Sequence, residues 1–357
     1  MSDPIRVLIV DDAIVVRRAV TEILERDLEI SVVGTAADGK IALQKIVQLN
    51  PDVLVLDIEM PVCDGFEVLR ELRRTHSRIW TVMFSTLTQR GAGQTIEALS
   101  LGAHDYVSKP TSVSGVNGYR QGLERVAVDL IPKIKQFINR RPGGIQRTKG
   151  TAGPSKPLKS SVVFKPSQVP EVVAIGVSTG GPEALSKLLP GIPKTFPAPI
   201  LIVQHMPALF TRLLAERLNK DAQIKVIEAV DGMALEPSVA YIAPGGYHLS
   251  VQKSGTKACV VLNQDPPENS CRPAADYLFR SVAEIYGNRG LGLIMTGMGN
   301  DGLKGLRLMK EKGATVIAQD EASCVVWGMP SAVVKEGLAV SVLPLGELSR
   351  AIACCFS

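Results

Sequence analysis

Residues 7–24 read Val-Leu-Ile-Val-Asp-Asp-Ala-Ile-Val-Val-Arg-Arg-Ala-Val-Thr-Glu-Ile-Leu. The apolar run Val7–Val10 suits a strand buried on both faces, and Asp11-Asp12 ends it. Val16, Ala19, Val20, Ile23 and Leu24 then recur at helical spacing. A buried strand, a polar strand end and an amphipathic helix make up the repeating unit of a parallel sheet. The unit returns along the chain. Strands are expected at Ser31–Gly34, Val53–Leu56, Thr81–Phe84 and Asp105–Val107, and Ile41, Ala42 and Ile46 mark a helix between the first two of these. The pattern predicts an open parallel sheet with helices on both faces.

In such sheets the ligand crevice lies at the carboxyl ends of the strands. Asp11, Asp12, Asp57, Ser85 and Lys109 all fall there. Clustered carboxylates repel one another and call for a cation, and an all-oxygen ligand set favours a hard ion such as Mg²⁺. The structural alternative is a helix cap at Asp11-Asp12 and a turn at Asp57.

The 357 residues suggest two domains, and 45% apolar with 21% charged residues describe a globular protein rather than a disordered one. No apolar run reaches 18 residues, and the amino terminus lacks the features of a signal peptide, so membrane insertion is not expected and a cytoplasmic location is. Cys63, Cys259, Cys271, Cys324, Cys354 and Cys355 form no Cys-x-x-Cys pair or zinc spacing and are expected to be reduced thiols. The net charge of +5 belongs to one segment: nine Lys and Arg lie between Leu130 and Pro170, and the rest of the chain carries −4. From Arg141 to Pro170 the chain is rich in proline and glycine, which marks a solvated linker rather than a nucleic-acid surface.

Beyond it the alternation resumes. Val172–Val177 ends at Ser178-Thr-Gly-Gly-Pro, Pro199–Val203 at Gln204-His205, and Leu291–Met295 at Thr-Gly-Met-Gly-Asn-Asp301-Gly. Cys259–Leu262 and Thr315–Ala318 are further strands, and Pro273–Ile285 is helical. Ala240–Ile242 and His248–Val251 flank Pro244-Gly245-Gly246 and read as a hairpin. Ser178, His205 and Asp301 supply a nucleophile, a base and an orienting carboxylate at three strand ends. The same serine also fits a Gly-x-Ser-x-Gly elbow, for which Ser178–Asp231–His248 is the competing set. The glycines could instead cradle a phosphate without catalysis. Met298 and Cys324 suit pocket lining and packing equally.

Two resemblances bear on these choices. Residues 3–125 resemble a response-regulator receiver domain in Val-Asp11-Asp12, Leu-Asp57-Ile-Glu-Met-Pro, Ser85 and Lys109-Pro110. The resemblance implies that Asp57 accepts a phosphoryl group from a chemotaxis histidine kinase. It also implies that Asp12, Asp57 and the Glu59 carbonyl hold Mg²⁺, with Asp11 acting through water. Lys109 would bind a phosphate oxygen, and Ser85 and Tyr106 would move with phosphorylation. Ala13 departs from the small hydroxyl residue that many relatives carry there.

Residues 171–355 resemble the catalytic domain of the chemotaxis protein-glutamate methylesterases. The matching stretches are Gly176-Val-Ser-Thr-Gly-Gly-Pro-Glu-Ala-Leu185, Gln204-His-Met-Pro207, Thr296-Gly-Met-Gly-Asn-Asp-Gly302 and Gln319-Asp-Glu-Ala-Ser-Cys-Val-Val-Trp-Gly-Met-Pro330. The expected architecture is therefore two doubly wound parallel-sheet α/β domains. A flavodoxin-like receiver leads to a Rossmann-like methylesterase domain through a linker at 126–170 that starts helical and turns basic. The resemblance implies that Ser178, His205 and Asp301 hydrolyse glutamate methyl esters on cytoplasmic chemoreceptor helices and deamidate receptor glutamines, with no cofactor for that reaction. Backbone N–H groups near Thr179 and Met298 would hold the oxyanion. The unphosphorylated receiver is expected to pack over the Ser178 edge. The rival readings are a receiver-controlled hydrolase of another ester and a response regulator with a binding output.

Overall fold

The computed structural model describes residues 3–75, 79–86, 88–109, 116–138, 166–255 and 257–356. The basic stretch of the expected linker, 139–165, and Pro110 lie outside the described residues.

In the amino-terminal half, β1 (Ile5–Val10), α1 (Ile14–Leu24), β2 (Ile30–Ala36), α2 (Gly39–Leu49) and β3 (Val53–Leu56) are followed by α3 (Gly65–Arg74) and β4 (Trp80–Ser85). Then come α4 (Gln89–Ser100), β5 (Asp105–Ser108) and α5 (Val116–Ile138). The strands pair in parallel in the order β2-β1-β3-β4-β5, the flavodoxin-like winding. All four residues of β3 are buried, as an apolar run in the middle of such a sheet requires. Local chemistry sets the helix starts: Asp38 caps α2 through the Ile41 N–H, and Asp64 with Glu67 forms a reciprocal capping box on α3. The helical segment expected at the start of the linker is the second half of α5. Its Val126, Leu130, Ile134 and Phe137 are buried in one cluster with residues of α1, β1 and β5, and Phe137 stacks on Trp80.

The carboxy-terminal half contains β6 (Val172–Val177), α6 (Gly181–Leu188), β7 (Ile200–Gln204), α7 (Ala208–Asp221), β8 (Lys225–Glu228) and β9 (Val239–Ile242). They are followed by β10 (His248–Ser254), β11 (Lys257–Asn263), α8 (Ala275–Tyr286), β12 (Gly290–Ile294) and α9 (Leu303–Glu311). The series ends with β13 (Thr315–Gln319), α10 (Met329–Lys335), β14 (Ser341–Leu343) and α11 (Leu345–Cys354). Seven parallel strands lie in the order β14-β13-β12-β6-β7-β9-β8. The chain leaves β6 toward β7 on one side and later returns to β12 on the other, so the switch point of the sheet lies between β6 and β12.

One expectation is corrected. Residues 240–251 do not form a hairpin: β9 is parallel between β7 and β8, and β10 pairs antiparallel with β11. All four β9 residues are buried, and a two-sided buried strand belongs inside a sheet. Pro244-Gly245-Gly246 instead carries the chain out of the sheet. A Cβ at Gly245 would lie 2.2 Å from the Ala208 nitrogen, so glycine alone permits that crossing. The edge strands β8 and β14 escaped the sequence reading because they are only four and three residues long and partly exposed.

Candidate active site

Both sheets gather their polar residues at the carboxyl edge, with opposite electrostatics. At the receiver edge, ligand oxygens from Asp11, Asp12 and Asp57 lie within 4.8 Å of one another, with Asp11 and Asp57 buried. Lys109 Nζ sits 2.8 Å from Asp11 Oδ2 and 2.7 Å from Asp57 Oδ2. Burial pushes the Asp57 carboxyl up to about 6 in spite of the Lys109 charge. A hard divalent cation fits this all-carboxylate donor set. Ser85 takes a hydrogen bond from Thr95 Oγ1 at 2.6 Å and donates to the Gly91 carbonyl at 3.2 Å, so its hydroxyl is engaged with α4. The Glu59 carboxylate also faces α4, through Arg90 at 3.1 Å and Gln94 at 3.2 Å.

At the second edge, Ser178 and His205 follow the neighbouring strands β6 and β7, and the His205 N–H reaches the Val177 carbonyl at 3.3 Å. The Ser178 N–H donates to the Thr296 carbonyl after β12, at 3.0 Å. A Cβ at Gly297 would stand 2.8 Å from Ser178 Cβ, so glycine lets that loop close on the serine. His205 Nε2 lies 2.7 Å from Asp301 Oδ2. Asp301 is buried and accepts four further hydrogen bonds, from the N–H groups of Ala275, Asp276 and Gly302 and from Asn269 Nδ2. Two of those donors belong to the first turn of α8, where the helix dipole favours a negative charge. Burial works against the Asp301 anion, but the His205 bond and these donors keep its pKa below the ordinary value. Burial would likewise lower the His205 pKa, but the Asp301 and Cys271 bonds outweigh it and raise it to about 9.

The competing set does not assemble. His248 is fully buried, its Nε2 lies 3.2 Å from the Pro266 carbonyl, and its Nδ1 takes the Ala274 N–H at 3.3 Å. Asp231 accepts from the Leu262 N–H. Cys324 is buried. Met298 is part-exposed and borders the same cleft as Ser178, Thr179 and His205, a space of about 690 Å³.

The receiver forms the other wall of that cleft with Asp105, Tyr106 and Lys133. Thr179 Oγ1 donates to Asp105 Oδ2 at 2.8 Å, and Lys133 Nζ holds Asp105 Oδ1 at 2.9 Å and the Tyr106 carbonyl at 2.6 Å. The Tyr106 ring stacks on Phe210 with centroids 4.5 Å apart. Gln136 reaches the Met298 sulfur, and α4 packs against α6 and α7.

Comparison with known proteins closes the question of family. Residues 7–116 match the response regulator receiver domain, and residues 173–352 match the CheB methylesterase family. A protein-glutamate methylesterase/protein-glutamine glutaminase of Trichodesmium erythraeum is 47% identical over 97% of this chain and 97% of its own length. One of the same name from Nocardioides sp. is 46% identical over 98% of this chain and 94% of its own.

The chain belongs to the CheB methylesterase family.

The crystal structure of the Thermotoga maritima CheB methylesterase catalytic domain agrees with this chain at a TM-score of 0.51 and 44% identity, over 52% of this chain and 97% of that one. No helix among the described residues is long and apolar enough to cross a membrane. Within this CheB family member, Asn269, Cys271 and Asp276 were not singled out from sequence as part of this sheet edge. They belong to the Asp-Pro-Pro-Glu-Asn-Ser-Cys-Arg-Pro stretch at 265–273 and to the start of α8. Those residues announce a turn, but nothing in their spacing points toward His205 or Asp301.

Proposed function

We propose that this chain hydrolyses γ-glutamyl methyl esters on chemoreceptor helices, and deamidates receptor glutamines, under control of receiver phosphorylation. The observation that carries the reading is the 2.7 Å His205–Asp301 pair at the sheet's switch point, one strand from Ser178. In this reading the Ser178 hydroxyl attacks the ester carbonyl as His205 takes its proton. The proton then passes to the departing methoxide, and methanol leaves. Water enters, His205 takes its proton in turn, and the acyl-enzyme opens to glutamate and free Ser178. Asp301 fixes the imidazole and stabilises its cation. Among the described residues no hydrogen bond takes up the N–H groups of Thr179 or Met298, which suits them to a developing oxyanion. An amide differs only in its leaving group, so one acyl-enzyme serves both activities.

Asp57 is the proposed phosphoryl acceptor, from a histidine kinase partner. Asp11, Asp12, Asp57 and the Glu59 carbonyl would hold Mg²⁺, which when bound neutralises charge on the incoming phosphoryl group. Lys109 then pairs with a phosphate oxygen, and Ser85 exchanges its α4 partners for another. Support for the coupling comes from β5, which ends one strand away from Ser85 and carries both Asp105 and Tyr106 into the cleft. A receiver seated on Thr179 and Met298 leaves no room for a helical substrate, so undocking is the activating step.

The test is methanol release from methylated receptor helices, with and without a small phosphodonor and Mg²⁺. Release that requires Ser178, scored against Ser178→Ala, and rises with the phosphodonor is the expected result. Release by Ser178→Ala at the unaltered rate would remove the serine from the mechanism.

A further inference from the structure

The imidazole nitrogen that faces away from Asp301 meets a sulfur. His205 Nδ1 lies 3.5 Å from Cys271 Sγ, while among the described residues no hydrogen bond joins the ring to Ser178 Oγ. Cys271, His205 and Asp301 therefore form a nucleophile–base–orienter array of their own.

The array rests on a rigid turn. The Cys271 N–H donates to the Glu268 carbonyl at 2.8 Å, the Glu268 N–H returns to the Cys271 carbonyl at 3.0 Å, and Asn269 and Ser270 between them have φ of 50° and 62°. Two successive left-handed residues make a type I′ turn, and serine adopts that backbone seldom. The leading side of the turn is anchored: Glu268 by Arg280 at 2.8 Å, and Asn269 by Asp301 at 2.8 Å and Asp276 at 3.0 Å. The half-buried Cys271 borders the 690 Å³ cleft, which gives a small reagent a route to the sulfur. The other thiols lack this setting. Cys63 lies near Glu67, Asp64 and Asp38, burial and those charges push it up to about 11, and Cys259, Cys324 and Cys355 are buried.

We propose that Cys271 is a modification site for soft electrophiles, hydroperoxides among them, served by the His205–Asp301 pair. With hydrogen peroxide the sulfur attacks one peroxide oxygen, the S–O bond forms as the O–O bond breaks, and His205 takes the thiol proton. That proton joins the departing hydroxide as water. The sulfur is oxidised by two electrons to the sulfenic acid and the peroxide is reduced. An occupied sulfur ties up the imidazole nitrogen that Ser178 requires, so modification halts ester hydrolysis. That last consequence rests on the esterase reading, and the reactivity itself does not.

The experiment treats the full chain with limiting iodoacetamide and follows all six cysteines by peptide mass spectrometry. Cys271 is expected to be alkylated at least tenfold faster than Cys63 or Cys354, and His205→Gln is expected to remove that advantage while the Cys63 rate holds. Equal rates at Cys271 and Cys354, or undiminished Cys271 labelling in His205→Gln, overturn the proposal. A second measurement needs no variant: hydrogen peroxide followed by dimedone should mark Cys271, and marking only other cysteines overturns it. Methanol release should fall in proportion to dimedone-reactive Cys271, whereas Cys271→Ser should keep its own untreated rate after peroxide. If labelling behaves as expected and methanol is never released, the esterase reading fails and the modification site stands.

Discussion

The two sheet edges share a geometry and differ in how they treat a buried carboxylate. Asp57 is buried with one backbone N–H and one lysine, and its carboxyl is pushed up to about 6. Asp301 is equally buried but receives five donors, His205 among them, and stays on the acid side of its ordinary value. Burial is common to both, so the number of donors decides which carboxylate is well satisfied as an anion and which is under-satisfied. The under-satisfied one suits a residue that awaits a cation and a phosphoryl group. The saturated one suits a residue that only holds an imidazole.

The largest expected effect comes from reversing one acceptor at the saturated edge. Asp301→Asn places an amide where five donors converge, and its NH₂ group must face at least one of them. Loss of the anion that fixes and charges His205 should lower kcat for methanol release by about 10⁴-fold. A loss below tenfold would break the comparison, because Asp301 would then be a structural anion.

The pH profile sharpens it. With His205 raised to about 9, the neutral base is present only as a minor species at neutral pH. For the unstimulated enzyme, kcat/KM should climb with unit slope up to about pH 9, so that the rate at pH 7 lies about a hundredfold below the plateau. An inflection near 6 would mean that desolvation of the imidazole outweighs its bonds to Asp301 and Cys271.

Much of this contrast was legible in the sequence because both edges are built from strand ends. Asp11, Asp57, Lys109, Ser178, His205 and Asp301 each terminate an apolar run or follow it closely, and a parallel sheet brings such ends together whatever the loops do. The donors to Asp301 were not legible. Asn269 and Cys271 reach the site on a turn whose position depends on the β10–β11 pair and on the Glu268–Arg280 anchor, which are contacts between distant segments. The hairpin misreading has the same origin: Pro244-Gly245-Gly246 is a strong local turn signal, while the partner of β9 is fixed by burial across the sheet. The face by which the receiver docks also depends on tertiary placement, since Asp105 and Lys133 meet only when α5 crosses β5.

Asp105, the first residue of β5, joins the receiver to the second edge. Its carboxylate accepts from Thr179, Lys133 and the Tyr106 N–H while buried. Asp105→Ala removes the receiver's hold on the residue beside Ser178. Unstimulated methanol release should rise about tenfold, within the range of ordinary coupling energies. An unchanged basal rate would show that the docked receiver does not restrain this edge.

The last test separates the carboxylates by stability. An acid whose folded pKa lies above its unfolded value binds its proton more tightly in the folded state, so folding weakens as pH rises between the two. For Asp57 the window runs from the ordinary aspartate value to about 6, and above it the full penalty applies. Asparagine keeps the neutral state at every pH. Asp57→Asn should therefore stabilise the receiver at pH 7.5 by about 2–3 kcal/mol in denaturant unfolding without divalent cations. The gain should vanish below about pH 4, where wild-type Asp57 is protonated in both states. A divalent cation should narrow the difference by stabilising the wild-type anion. No gain at pH 7.5 would mean that Lys109 already compensates the buried charge, and that the receiver edge is as well satisfied as the edge that carries Asp301.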